Sequence, residues 1–202
     1  MKRQSIQPYW GNITKAYHIP VEEVRLAKDG GCSHVYGEVS EQGIIEFMDE
    51  VPLRFGNFAD LGSGRANVTA FVAHNYGFKT CYGIEISKSR HEIATGLISK
   101  AQHLKGMGKI ELRNQDLFQF NLKEHDIDVA FCDNLAFEQS GIERLTQKVV
   151  REMKAGSFFI SMRQMVWDRS IFSHNPLENT ARLTIKTSWS QACPVYVYRI
   201  SR

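Results

Sequence analysis

Cysteine is sparse and scattered. The 202 residues hold four, Cys32, Cys81, Cys132 and Cys193, with no Cys-x-x-Cys spacing. That excludes a disulfide-stapled scaffold and suits reduced thiols in a cytosolic or nuclear setting. The seven histidines show no metal-ligand spacing, so no metal site is expected. No apolar run approaches the ~18–20 residues that span a bilayer. Met1-Lys2-Arg3-Gln4 has no apolar signal core behind it, so neither secretion nor membrane contact is expected. An excess of one charge is lacking too. The net charge of +3 and pI of about 8.6 are too mild to argue alone for a nucleic-acid partner. Repeats and low-complexity stretches are absent. What is present, 43% hydrophobic and 23% charged residues, suits one globular domain with one sizeable core.

The hydrophobic pattern alternates between two periods. Residues 1–34 are polar and turn-rich, with Pro8, Pro20 and Gly30-Gly31; they are expected to form a lid of short helices or loops, with the domain proper over 35–202. From Ser40, apolar residues recur at helical spacing to about Glu50, before Pro52. A strand is expected at 57–61 and a helix at about 66–76, ending at Gly77. A strand at 79–84 follows, then a long helix capped by Ser87 and running to about Leu104. Further strands fall at 109–113 and 128–132, a helix at 138–154 and a strand at 157–162. The tail alternates around Arg182 to Thr187 and again over Val195 to Ile200, as two antiparallel strands would. Strands alternating with helices predict an α/β fold, a mostly parallel sheet covered on both faces.

The first strand ends in Asp60-Leu61-Gly62-Ser63-Gly64, and the second in Tyr82-Gly83-Ile84-Glu85. A glycine turn at the carboxyl edge of a strand lets a ligand approach the backbone. An acid closing the next strand can hold both hydroxyls of a ribose. The unit therefore reads as a nucleoside-cofactor site, against the blander reading of a plain strand-to-helix turn. Nicotinamide sites prefer Gly-x-Gly-x-x-Gly, whose last glycine is Asn67 here. Asp-x-Gly-x-Gly with a downstream acid is instead the habit of S-adenosylmethionine enzymes, with Asp60 toward the methionine end. Four strand ends in succession carry an acid: Asp60, Glu85, Asp116 and Asp133. Asp116 is a candidate acceptor for the adenine amine, or simply a turn cap; Leu117 or Phe118 would cover the ring.

The order of Tyr36-Gly37-Glu38, the Asp60–Gly64 turn, Glu85, Asp133-Asn134-Leu135-Ala136-Phe137 and Ser188-Trp189 before Pro194 resembles the non-SET histone lysine methyltransferases of the disruptor-of-telomeric-silencing family. The resemblance covers about residues 33–202. It implies a Rossmann-like class I methyltransferase fold with a seven-stranded sheet, S-adenosylmethionine as cofactor, and a core lysine of histone H three in the nucleosome as acceptor, in the nucleus. It places Tyr36, Glu38, Asp60, Gly62, Gly64, Asn67, Glu85, Asp116, Leu117 and Asp133 at the cofactor. Asp133 and Asn134 stand at the transferred methyl, and Phe137 with Tyr196 or Tyr198 walls the lysine channel.

Departures from the family pattern are specific. Asp133 replaces an asparagine, Ala66 and Asn67 replace glycine and glutamine, and Val39 replaces a threonine. The lysine-rich stretch with which the family grips nucleosomes is missing from these residues. Contact with DNA or histone would fall to Lys2, Arg3, Arg163, Arg169, Arg182 and Lys186, which otherwise read as a solvated face. The same fold acting on another protein, an RNA or a small molecule is the alternative, and a non-catalytic cofactor-binding chromatin module is a further one.

Overall fold

A computed structural model describes residues 3–52, 56–104, 106–167, 170 and 174–201. Its centre is β1 (Asn57–Leu61), β2 (Thr80–Glu85) and β4 (Ile127–Cys132), of which β2 and β4 are buried at every position. Strands covered on both faces need apolar residues pointing both ways, which is why they read as near-continuous runs. Phe58, Val129 and Phe131 point into one apolar layer; Ala59, Leu61, Ala130 and Cys132 point into the other. β3 (Lys109–Asn114) and β5 (Phe158–Ser161) extend the parallel part, and β6 (Leu177–Ile185) and β7 (Cys193–Ile200) complete the sheet. The order is β3-β2-β1-β4-β5-β7-β6. β7 runs antiparallel to both its neighbours, as the tail's alternation predicts. The charged edge strand β6 leaves Glu178 exposed, which discourages edge pairing with another chain.

Helices cover both faces. α1 (Gln7–Trp10), α2 (Val21–Asp29), α3 (Glu41–Asp49), α4 (Asn67–Asn75), α5 (Lys88–Ala101) and α6 (Gln139–Glu152) appear in chain order. Ile44 and Phe47 of α3 and Phe71 of α4 fill the first layer. Phe47 stacks on Phe131 of β4 with ring centroids 5.0 Å apart. Ile142, Leu145 and Val149 of α6, at helical spacing, fill the second. Ser40 and Ser87 cap α3 and α5, each side-chain oxygen accepting a backbone N–H in the first turn. The N-terminal segment forms short helices, and Ile6 and Trp10 are buried in the same layer as α3 and α4.

β6 starts at Leu177, ahead of the alternation visible from Arg182. A register shift between Asn179 and Ala181 interrupts the pleat and hides the first part of the strand. The sheet order reverses between β1 and β4, where chains leave toward opposite sides. A crevice opens outside the carboxyl ends of strands at such a point.

Candidate active site

A cavity of about 310 Å³ occupies that crevice, lined by Asp60, Glu85 and Asp133 from the ends of β1, β2 and β4. The size falls in the range of small-molecule pockets, ~300–1,000 Å³. Glu85 is held by two backbone donors: Gly64 N–H to Oε2 and Ser87 N–H to Oε1, each 2.8 Å. Those bonds orient the carboxylate and leave lone pairs for two hydroxyls. Burial raises its pKa, against the Ser87 bond, the Arg90 charge and the Gly64 bond. Asp60 accepts from Thr69, N–H at 3.1 Å and Oγ1 at 2.7 Å, both on Oδ2. Burial pushes its pKa up to about 7, with Glu85 and Asp133 adding to the rise. Burial likewise pushes Asp133 up to about 6. Neighbouring carboxylates kept from water ionise reluctantly unless a cation joins them.

The turn between β1 and α4 fits a ligand's approach. Gly62 and Ser63 donate N–H to Ile84 O at 2.8 and 2.9 Å, locking the turn to β2. Gly62 has φ 88° and open space where a side chain would stand. Gly64 has φ 55°, and a Cβ there would stand 2.3 Å from the Tyr36 ring. Tyr36 lines the cavity, as does Asn67, whose amide donates to Val39 O at 3.1 Å. Glu38 does not line it. Its carboxylate is taken up by Arg65, Nε to Oε1 at 2.8 Å and NH2 to Oε2 at 3.1 Å, and by Tyr36 Oη at 2.7 Å. Leu117 lines the cavity. Asp116 lies in an adjoining depression that shares Ile86 with it, and its Oδ1 accepts from Phe118 N–H at 2.9 Å, a turn bond.

Asp133 and Asn134 divide sharply. Asp133 lines the cavity and, among the described residues, accepts a single long bond, 3.4 Å, from Leu135 N–H. Asn134 is fully buried beside it. Its Oδ1 accepts from Ser161 Oγ and Arg163 N–H, both at 3.0 Å, and its Nδ2 faces Met165 Sδ at 3.6 Å. Phe137 lines the cavity. Tyr196 and Tyr198 share one face of β7 within the second apolar layer and do not line it. Tyr198 Oη accepts from Met165 N–H at 3.0 Å, and the Arg182 guanidinium lies 5.5 Å from the Tyr196 ring centroid.

Several lining residues had no role assigned from the sequence. Trp189 lines the mouth while 44% exposed, with Val35 and Leu135. Its ring covers Gly37, where a Cβ would stand 2.1 Å away. The pairing of Ser188 N–H with Glu38 O at 2.8 Å brings the two motifs together, which their order alone does not reveal. Glu23 and Arg90 also line the wall. Arg90 sits one turn past the Ser87 cap, a signal available in the sequence; Glu23, far away in the chain, gave none.

Among the expected basic contacts, Arg3 pairs with Asp49, and Arg163 donates to Phe137 O at 2.5 Å. Lys2 and Arg169 lie outside the described residues.

Strand order, crevice and acid placement together define a Rossmann-like methyltransferase fold. Solved structures agree on that fold. Magnesium protoporphyrin IX methyltransferase from Synechocystis PCC 6803 superposes with a TM-score of 0.60 at 14% identity, covering 98% of this chain and 93% of its own. An RNA methyltransferase from Salinibacter ruber gives 0.53 at 17%, covering 90% of each. The family model described as "Histone methylation protein DOT1" matches residues 18–191. The chain belongs to that family. A Caenorhabditis elegans protein named "Histone-lysine N-methyltransferase, H3 lysine-79 specific" is 24% identical over 166 residues, 75% of this chain and 18% of that protein. A Debaryomyces hansenii protein of the same name is 28% identical over 186 residues, 82% of this chain and 16% of that protein. The chain thus spans less than a fifth of those relatives' length.

Proposed function

We propose that this chain is an S-adenosylmethionine-dependent protein-lysine N-methyltransferase acting on a core lysine of histone H three in the nucleosome. The observation that carries the reading is the meeting of Asp60, Glu85 and Asp133 in one cavity at three strand ends. The donor set fits the cofactor: buried carboxylates of raised pKa suit a ligand with an ammonium and a sulfonium, and the anchored Glu85 suits a diol. When bound, the cofactor supplies an electrophilic methyl group. Glu85 would hold the ribose, Asp60 and the Gly62 turn the methionine end, and Leu117 the adenine face. Asp116, in the adjoining depression across Ile86, would be the candidate acceptor for the adenine amine.

Val35, Leu135 and Trp189 form an apolar rim. Desolvation there favours the neutral amine of an entering lysine, whose ordinary pKa is ~10.4. Asp133, held among the described residues by one long bond, accepts an amine N–H and directs the nitrogen lone pair inward. Positioning and electrostatics then carry an in-line transfer. Names of the family relatives support histone as acceptor, and a nucleosomal acceptor would put the reaction in the nucleus. Lys186 and Arg182 are exposed and would be available to meet DNA or histone.

Tritiated S-adenosylmethionine offered with nucleosomes, free histones and total RNA side by side tests the reading. Label on nucleosomal histone H three, falling as salt rises, is the expected result. Label confined to RNA or to free non-histone protein transfers the chain to the alternative, and binding without transfer would make it a cofactor-binding module.

A further inference from the structure

Arg65 follows the second glycine of the cofactor turn, yet it does not line the cavity. Its guanidinium is nearly fully employed. One edge forks onto both oxygens of Glu38, as described above, and NH1 donates to the carbonyl oxygens of Trp10 and Asn12, 2.9 Å each. The side chain is 3% exposed. Across the fork stands Tyr36, whose Oη donates to Glu38 and accepts from Arg65 N–H at 3.2 Å. A second arginine closes on the same ring. The Arg90 guanidinium lies 4.6 Å from the Tyr36 centroid. Its Nε donates to Ala16 O at 3.0 Å and its NH2 to His34 O at 2.7 Å.

Two arginines, one from the turn and one from α5, thus tie carbonyls of the N-terminal segment to one tyrosine of the cavity wall. The same segment contributes Ile19, Glu23 and Ala27 to that wall. A buried ion pair is weak evidence of stability, because desolvating two charges offsets most of their attraction; fixing one arrangement is its better-attested use. Glu38 and the Arg65 N–H hold Tyr36 Oη, the Arg90 guanidinium lies by its ring, and that ring packs on Gly64; the bonds to the carbonyls of the N-terminal segment hold the two arginines in turn.

We propose that Arg65 is a positioning residue for cofactor capture: its bridge from Glu38 to the Trp10 and Asn12 carbonyls sets Tyr36 against the glycine turn and couples order in the N-terminal segment to ligand in the cavity. The inference rests on the reading of the cavity as an S-adenosylmethionine site. Coupling of this kind is reciprocal, so ligand must also tighten the segment.

The test measures S-adenosylmethionine affinity by calorimetry, and amide hydrogen exchange over residues 10–17 with and without the ligand. It compares the wild type, Arg65→Lys, and the paired Arg65→Met, Glu38→Gln variant. The pair leaves no unpartnered charge, so it provides a folded protein even if the single change does not. Expected are affinities at least tenfold weaker in the folded variants, and loss of the ligand-induced slowing of exchange seen in wild type. A residue that merely stabilised the fold would lower the melting temperature and leave both readouts as in wild type; affinity within twofold and unchanged slowing overturn the inference alone. Failure of the wild type to bind overturns the cofactor reading and the inference together.

Discussion

Ala66 holds the left-handed conformation, φ 62° and ψ 32°, at the start of α4. For a residue with a Cβ that costs ~1–2 kcal/mol, which gives a physical reason for the glycine expected there from the family pattern. Ala66→Gly is predicted to stabilise the protein by about 1 kcal/mol, less the added freedom of the unfolded chain. A higher urea midpoint at unchanged slope checks it; an unchanged midpoint shows that the relief does not exceed the lost burial of the methyl and the added freedom of the unfolded chain. Glu85→Ala is predicted to weaken S-adenosylmethionine binding by ~1.5–3 kcal/mol, since charge-assisted bonds to the ribose are lost. Calorimetry on the folded variant reads this directly, and undiminished affinity would move the ribose elsewhere. Asp133 and Asn134 separate by assay. Asp133→Ala should cut turnover far more than cofactor affinity, while Asp133→Asn keeps most of the rate. Asn134→Ala strands Ser161 Oγ and Arg163 N–H without their shared acceptor, so it should cost ~1–3 kcal/mol of stability. Methyl-transfer rates and melting curves from one set of preparations decide between them; full activity in Asp133→Ala would remove Asp133 from the transfer step.

At the scale of elements, the start of α5 shows how far sequence reading reaches. Ser87 was legible as a cap because it stands before a helical pattern, and its Oγ accepts from Arg90 N–H at 3.1 Å. The second half of the cap was not legible. Glu23 crosses from α2 to accept from Ser89 N–H at 3.2 Å and Ser89 Oγ at 2.8 Å, placing a carboxylate at the positive end of the helix. Ser87→Ala is predicted to cost about 1 kcal/mol in thermal or urea unfolding. The same division runs through the fold. Strands β1, β2 and β4 announce themselves by continuous apolar runs, and the acids closing them by position. The bulge in β6, the seating of Trp189 on Gly37, and the burial of Tyr196 and Tyr198 away from the cavity depend on contacts between distant segments. No local period encodes such contacts. Asn134 is the instructive case: adjacent to Asp133 in sequence and similar in chemistry, it points into the core because β4 ends there and the chain turns.

For the whole molecule, the gathering of acids in one enclosed place makes ligand binding depend on pH. Asp60, raised to about 7, and Asp133, raised to about 6, both stand above the ordinary 3.8. A carboxyl whose folded pKa is raised contributes stability that is fully present below the unfolded value and is lost as pH rises through the folded one. The ligand-free fold should therefore lose stability from these groups between about pH 4 and 7. A cationic ligand reverses the preference, because it pairs with the ionised form. Its affinity must rise as Asp133 and then Asp60 lose their protons. The shift in melting temperature produced by saturating S-adenosylmethionine should accordingly be larger at pH 8 than at pH 5.5. The demethylated product, which keeps the ammonium and lacks the sulfonium, should show a shallower rise over the same range. Thermal melts with each ligand across that interval read the difference. Equal slopes would mean that the carboxylates answer the ammonium alone, and a shift that does not change with pH would show that Asp60 and Asp133 do not pair with the bound cation.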